Sequence, residues 1–265
     1  AINIPYGVTS IGNGAFSMCG ALGEITIPGS VKSIGTSVFD GCLNLASVTV
    51  AADNPVFEVI GGVLFDKVQK MLHTYPQSLP DKSYQVPEGT LSIGNLAFAS
   101  CVNLESVIIP DSVVSIGESA FLGCRGLMSV TLPNGLKRLE ASVFASCANL
   151  RSIQIPHSVT SIGPQAFCNC TWLKDVNLPY GLTALEPYAF AYCGNLREIV
   201  IPASVLSIGD GAFMGCDFIS RVVIQPGVQT IGANAFSECS YMMEASIPES
   251  VSSIGENAFS GRSEE

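Results

Sequence analysis

The sequence predicts a solenoid of short stacked coils, and three observations predict it. A phenylalanine returns every 23 residues, at Phe16 and Phe39 and then, after one interruption, at Phe98, Phe121, Phe144, Phe167, Phe190, Phe213, Phe236 and Phe259. Around each runs one pattern, Ile-Pro-x-Ser/Gly-Val-x-Ser-Ile-Gly-x-x-Ala-Phe-x-x-Cys-x-x-Leu-x-x-Val-x, as in residues 109–131. The chain is also 48% hydrophobic and only 13% charged, enough to fill a continuous core, whereas a unit this short cannot bury its apolar groups without a neighbour. Ten units fit, starting at Ile4, Ile27, Val86, Ile109, Leu132, Ile155, Leu178, Ile201, Ile224 and Ile247.

Each unit closes with Leu-x-x-Val-x-Ile, as at Leu104, Val107 and Ile109, which matches the Leu-x-x-Leu-x-Leu core of a leucine-rich repeat. The alternation of Val and Ile predicts a short strand with one buried face. Proline follows and ends the strand, because it has no N–H for a further ladder bond. Val-x-x-Ile-Gly, such as residues 113–117, then crosses the opposite side of the coil, with glycine at a bend that a side chain would hinder. Ala-Phe-x-x-Cys-x-x-Leu spaces its apolar groups by three, which suits a turn of α- or 3₁₀-helix. The expected fold is therefore a leucine-rich-repeat solenoid of about ten coils, of short strands and helical turns, in a right-handed arc on the order of 50 Å long at one strand spacing per coil.

Residues 1–265 read as one domain, since solenoid units touch only their neighbours. The chain begins inside a unit and its last unit, residues 247–265, is cut short, so it is expected to be a segment of something longer. The interruption at residues 51–85 contains β-like runs at 57–60, 63–65 and 71–75, separated by Gly61-Gly62 and by 66–70, which predicts an added hairpin. Two readings stand for it: a recognition loop, or an enlarged coil whose Phe57, Phe65 and Leu72 cap the core.

The full unit and the interruption, with Asp53-Asn-Pro, Ile60-Gly-Gly-Val-Leu-Phe and Leu72-His-Thr-Tyr-Pro, resemble the repeat of the BspA-like leucine-rich-repeat proteins over nearly the whole chain. That resemblance implies an exported or cell-surface protein of gut or oral bacteria or of mucosal protozoa. Its partner would be a host or extracellular-matrix protein or another cell's surface protein, and it would not be an enzyme. Residues 1–265 show no signal-peptide pattern, so the expectation of export rests on the resemblance.

Other function classes find little support. A net charge of −10 argues against a nucleic-acid surface, and no apolar run of about 18 residues offers a membrane span. His73 and His157 lie in different parts of the array, and neither a zinc-protease motif, a nucleophile elbow nor a phosphate loop occurs, so no catalytic residues and no cofactor are expected. Nine of the ten cysteines, from Cys19 to Cys239, share one place in the unit. Stacked coils put them in a column, where a thiol acts as a small buried hydrophobe and weak donor to a turn carbonyl. Cys168 alone is off the column. Asn169-Cys-Thr171 is the one glycosylation sequence, meaningful only in a eukaryotic secretory pathway.

Outward strand residues tile one continuous face and carry individual information. Early coils are bland there, with Gly23, Glu24, Ala46 and Ser47. Later coils place Arg151, Lys174 and Arg197 at one position, Asp175 and Glu198 beside them and Arg221 one place over. Stacked like charges at ~5 Å repel, so such a row needs neighbouring acids or an external anion. Aromatics gather in the same region: His157 and Tyr180 follow the prolines, while Trp172, Phe218 and Tyr241 hold the place of Asn44, Asn103, Asn149 and Asn195. The predicted binding surface is thus the sheet face from Arg151 to Glu244. A protein partner is the first reading, a glycan is the second if Trp172, Tyr180 and Tyr241 converge on one groove, and a spacer that only separates other regions is the third.

Overall fold

The computed structural model describes residues 2–261 and is a β-solenoid. Each standard coil carries two short strands, for example Ser106–Ile108 and Ser115–Ile116. Strands of successive coils pair in parallel with a 23-residue offset, Val107 against Val130 on one side and Ile93 against Ile116 on the other. Buried Val and Ile alternate with exposed residues along them, as in Glu198–Ile201, which is why the repeat keeps an apolar residue at every second place. Glycine at the end of the second strand serves close stacking: a Cβ on Gly117 would lie 2.6 Å from the Asn95 backbone nitrogen. Two coils carry the half-buried Glu140 and Glu186 there instead.

The expected helical turn is replaced by a different device. In residues 117–124 the N–H groups of Ala120, Leu122 and Cys124 bond three residues back, to Gly117, Ser119 and Phe121. Those of Ser119, Phe121 and Gly123 point to the next coil, reaching Ala141, Val143 and Ala145 at 2.8–2.9 Å. This alternation requires left-handed backbone at Ser119 (φ +55°) and Gly123 (φ +71°), which a continuous helix excludes. Every second peptide therefore joins the inter-coil ladder, and the turn adds to the stacking.

Within the core the phenylalanines from Phe98 to Phe259 form one stack, with ring centroids 4.7–5.5 Å apart and rings within 18° of parallel. Tyr75 lies 5.2 Å from Phe98 and continues it, so the interruption is an eleventh, enlarged coil. It also holds the expected hairpin: Phe57–Ile60 and Val63–Asp66 pair antiparallel around Gly61 and Gly62, both at positive φ. The adjoining Met71–Thr74 pairs with Val63–Asp66 and then joins Ser92–Ile93 in the regular ladder. Phe57, Phe65 and Leu72 are buried, as the enlarged-coil reading expects. Val63–Asp66 is buried throughout. Leu64 packs into the core of the first coils, while Val63 and Phe65 pack into the long core that follows. The shortened end of the last unit, residues 262–265, lies outside the described residues.

Candidate functional site

First strands present the face, and the ladder sets the register of its side chains. Lys174 N–H donates to the Arg151 carbonyl at 2.9 Å, Ser152 pairs with Asp175, and Glu198 pairs with Arg221, which pairs with Glu244. Arg151, Lys174, Arg197, Asp175, Glu198 and Arg221 are all exposed. Arg221 Nε lies 3.5 Å from Glu244 Oε2, an exposed pair of little energetic weight. Among the described residues Arg151, Lys174 and Arg197 form no ion pair, so Asp175 and Glu198 do not neutralise the row by direct contact. One column member escaped the sequence reading: Lys82 of the enlarged coil, which pairs with Glu105, because the insertion hides its place in the repeat.

The face opens in the middle of the predicted patch. From Glu105 to Met243 the N–H at this column position bonds the carbonyl of the preceding coil at residues 105, 128, 151, 174, 220 and 243, and Arg197 lacks that bond to Lys174. No strand pairing joins Asp175–Asn177 to Glu198–Ile201, nor Ser129–Thr131 to Ser152–Gln154, but at the latter break the Arg151 N–H still reaches Met128 O at 3.4 Å. Beside this gap lies a shallow depression of about 340 Å³ lined by Gln154, Asp175, Val176, Asn177, Arg197 and Glu198. Val176 is only half-buried, whereas its counterparts Ile153 and Ile199 are fully buried. A patch of both charge signs, two carboxamides and a partly bared core residue thus forms at one site. Gln154 and Asn177 are exposed strand residues that nothing in the sequence sets apart from their neighbours, and they line the depression.

The aromatics stand at both ends of the strand. Trp172 precedes the strand Asp175–Asn177 and Tyr180 follows it, eight residues on, which at ~3.3 Å per residue puts them on the order of 20 Å apart across the face. His157 and Tyr180 are exposed neighbours at the far edge. Phe218 stacks on Tyr241 at 5.1 Å. Tyr188 and Tyr192 instead cover Gly211 and Gly215 of the next coil, where an added Cβ would lie 2.4 Å and 2.5 Å from the rings. Among the described residues Trp172, Tyr180 and Tyr241 make no ring contact with one another.

The cysteine column has a structural role. Cys124, Cys147, Cys170, Cys193, Cys216 and Cys239 each donate Sγ–H to the carbonyl of the preceding coil's phenylalanine at 2.9–3.3 Å. Burial pushes the thiols of Cys193 and Cys216 well above their ordinary pKa. Cys168 is half-buried and accepts a bond from Asn169 Nδ2. Among the described residues no cluster of His, Cys, Asp and Glu could hold a metal, and no helix is long and apolar enough to cross a membrane. His73 is enclosed at the joint between the first coils and the enlarged one, with Nδ1 2.8 Å from Thr74 Oγ1.

The family model of the BspA type leucine rich repeat region matches in six copies, over residues 1–79, 91–219 and 139–264. Among solved structures the chain is similar to a leucine rich cell surface protein of Faecalibacterium prausnitzii A2-165, with 31% identity over 84% of this chain and 59% of that one, at a TM-score of 0.64. It is also similar to a leucine-rich repeat protein of Eubacterium ventriosum, with 26% identity over 100% of this chain and 65% of that one, at a TM-score of 0.71. A third, from Bacteroides ovatus, gives 25% identity over 98% and 72%, at a TM-score of 0.62. The chain thus spans less than two thirds of the first two proteins. No protein of curated function matches it.

Proposed function

The chain belongs to the BspA-type leucine-rich-repeat family, and we propose that it is a non-enzymatic binding module of the cell surface or of a secreted protein. Its partner would be a host or extracellular-matrix protein, or a protein on another cell, engaged by the sheet face from Arg151 to Glu244. The observation that carries this reading is the depression beside the break between Asp175–Asn177 and Glu198–Ile201, which brings together a guanidinium without an ion pair among the described residues, two carboxylates and two carboxamides. Both charge signs within one small site suit a protein segment that also carries both signs, and such matching favours specificity and association rate. The surface location is supported by the F. prausnitzii relative, described as a leucine rich cell surface protein.

The test is binding of the purified chain to a panel of immobilised extracellular-matrix proteins, alongside an Arg197→Glu/Glu198→Arg variant that conserves composition and reverses the local polarity. Selective binding that falls at least about tenfold in the variant supports the reading. A folded wild-type chain that binds none of the panel, or a variant that binds as tightly, overturns it and leaves the spacer role.

A further inference from the structure

We infer that the edge of this face beside the depression is a second site, which takes a linear anionic polysaccharide: one sugar ring stacks on Trp172 and its acidic groups are met by Arg151, Lys174 and Arg197. The inference does not depend on the depression.

Trp172 stands where three other coils use an asparagine to tie the loop to the coil below, Asn44 Nδ2 to Gly20 O at 2.6 Å, Asn103 Nδ2 to Leu79 O at 3.2 Å and Asn195 Nδ2 to Thr171 O at 2.7 Å. Trp172 keeps a bond to the coil below only through its own N–H, to Ala148 O at 3.0 Å, and its side chain remains 59% exposed. Phe218 and Tyr241, its counterparts in later coils, cover each other, whereas Trp172 has no ring partner among the described residues. A large apolar ring left more than half exposed and uncovered by another ring has a reason to be so when a ligand stacks on it.

The cations supply the second half of the site. Only the buried Leu173 separates the exposed Trp172 from the exposed Lys174, so both stand at the entrance to the strand Asp175–Asn177 within two residues of each other. Arg151 stands one bonded coil below Lys174, at ~4.8 Å, and Arg197 one coil above across the unbonded step, making three positive charges with no ion pair among the described residues in a chain of net charge −10. Repulsion within this row is relieved by a ligand that brings negative charge at a regular interval. A polymer of uronate or sulfated sugars does so, and its ring faces match the indole. Asp175 and Glu198, one residue further onto the sheet, repel such a ligand and so confine it to the Trp172 edge.

Trp172 is the only tryptophan, so its fluorescence reports the site directly. The probe is a heparin hexasaccharide, with neutral maltohexaose and polyglutamate as controls. The expected result is a blue-shifted emission and protection from acrylamide quenching with the heparin oligosaccharide alone. Three ionic contacts to a flexible polyanion predict an affinity on the order of 20-fold weaker at 200 mM than at 50 mM salt. By calorimetry, Trp172→Ala and Lys174→Gln each weaken binding by about tenfold with melting temperature unchanged. Unchanged emission at millimolar hexasaccharide, equal binding of polyglutamate, or full affinity in Trp172→Ala overturns the inference. A chain that binds a matrix protein at the depression but not the hexasaccharide overturns this site alone.

Discussion

Phe167→Ala tests whether the aromatic stack holds the solenoid together. Phe167 is fully buried, between Phe144 at 5.5 Å and Phe190 at 4.9 Å, with interplanar angles of 15° and 8°. Truncation removes two ring contacts of about 0.5–1.5 kcal/mol each and opens a cavity inside the longer core, for a total cost of about 3–5 kcal/mol. Phe16→Ala is the comparison: Phe16 is half-buried, has one stacked partner at 5.9 Å and belongs to the separate core of the first coils. Its cost should be about 1–2 kcal/mol, because less area is removed and one contact is lost. Urea unfolding followed by far-UV circular dichroism and by Trp172 fluorescence separates the cores, since Trp172 reports on the longer one. Phe167→Ala should move both transitions, and Phe16→Ala chiefly the dichroism. A cost below about 1 kcal/mol for Phe167→Ala would refute the stack as the main packing element.

Gly227→Ala should destabilise by about 1–3 kcal/mol in chemical unfolding, because the new Cβ falls 2.1 Å from the Ala203 carbonyl oxygen at a φ of +134°. Gly194→Ala, with nothing within 4 Å of its Cβ, should stay within about 0.5 kcal/mol of the wild type. Burial lowers the pKa of His73, with the Ile34 and Gly35 carbonyls opposing in part. The unfolded chain therefore takes up a proton first, near pH ~6.5, and stability is complete above that value and declines as pH falls below it. Melting temperatures from pH 7 to pH 5 should drop more for the wild type than for His73→Gln. A disulfide reagent at pH 8 should label the partly exposed Cys19 and Cys168 of the native chain and reach the eight buried thiols only on denaturation; fast labelling of the column without unfolding would contradict its packing.

The coil was legible because its causes are local and repeated. Phe98 to Phe259, the strand valines and the cysteines each recur for one packing reason, and the structure uses them that way. Tyr75 was harder to place, since the hairpin lengthens its coil and Tyr stands for Phe, so the enlarged coil hides in the spacing. The helical turn misled because apolar groups three apart also suit turns alternating with left-handed residues such as Ser119, and backbone handedness at a serine leaves no mark in the sequence. At the site, the column of Arg151, Lys174 and Arg197 followed from the repeat alone. The missing bond between Arg197 and Lys174, and the half-bared Val176, depend on how two coils sit, which residue types do not encode. The separation of Trp172 from Tyr180 is set by the strand between them.

The most direct test of the binding face is amide hydrogen exchange of the chain alone and with a matrix protein captured from the panel. In the free chain the Arg197 amide should exchange faster than those of Lys174 and Ser220, which are bonded at 2.9 Å and 2.8 Å. On binding, protection should concentrate in residues 172–200. Protection on the opposite strand column, at Ala184–Leu185 and Ser207–Ile208, or on the hairpin at Phe57–Ile60, with residues 172–200 unchanged, would contradict the assignment of the sheet face.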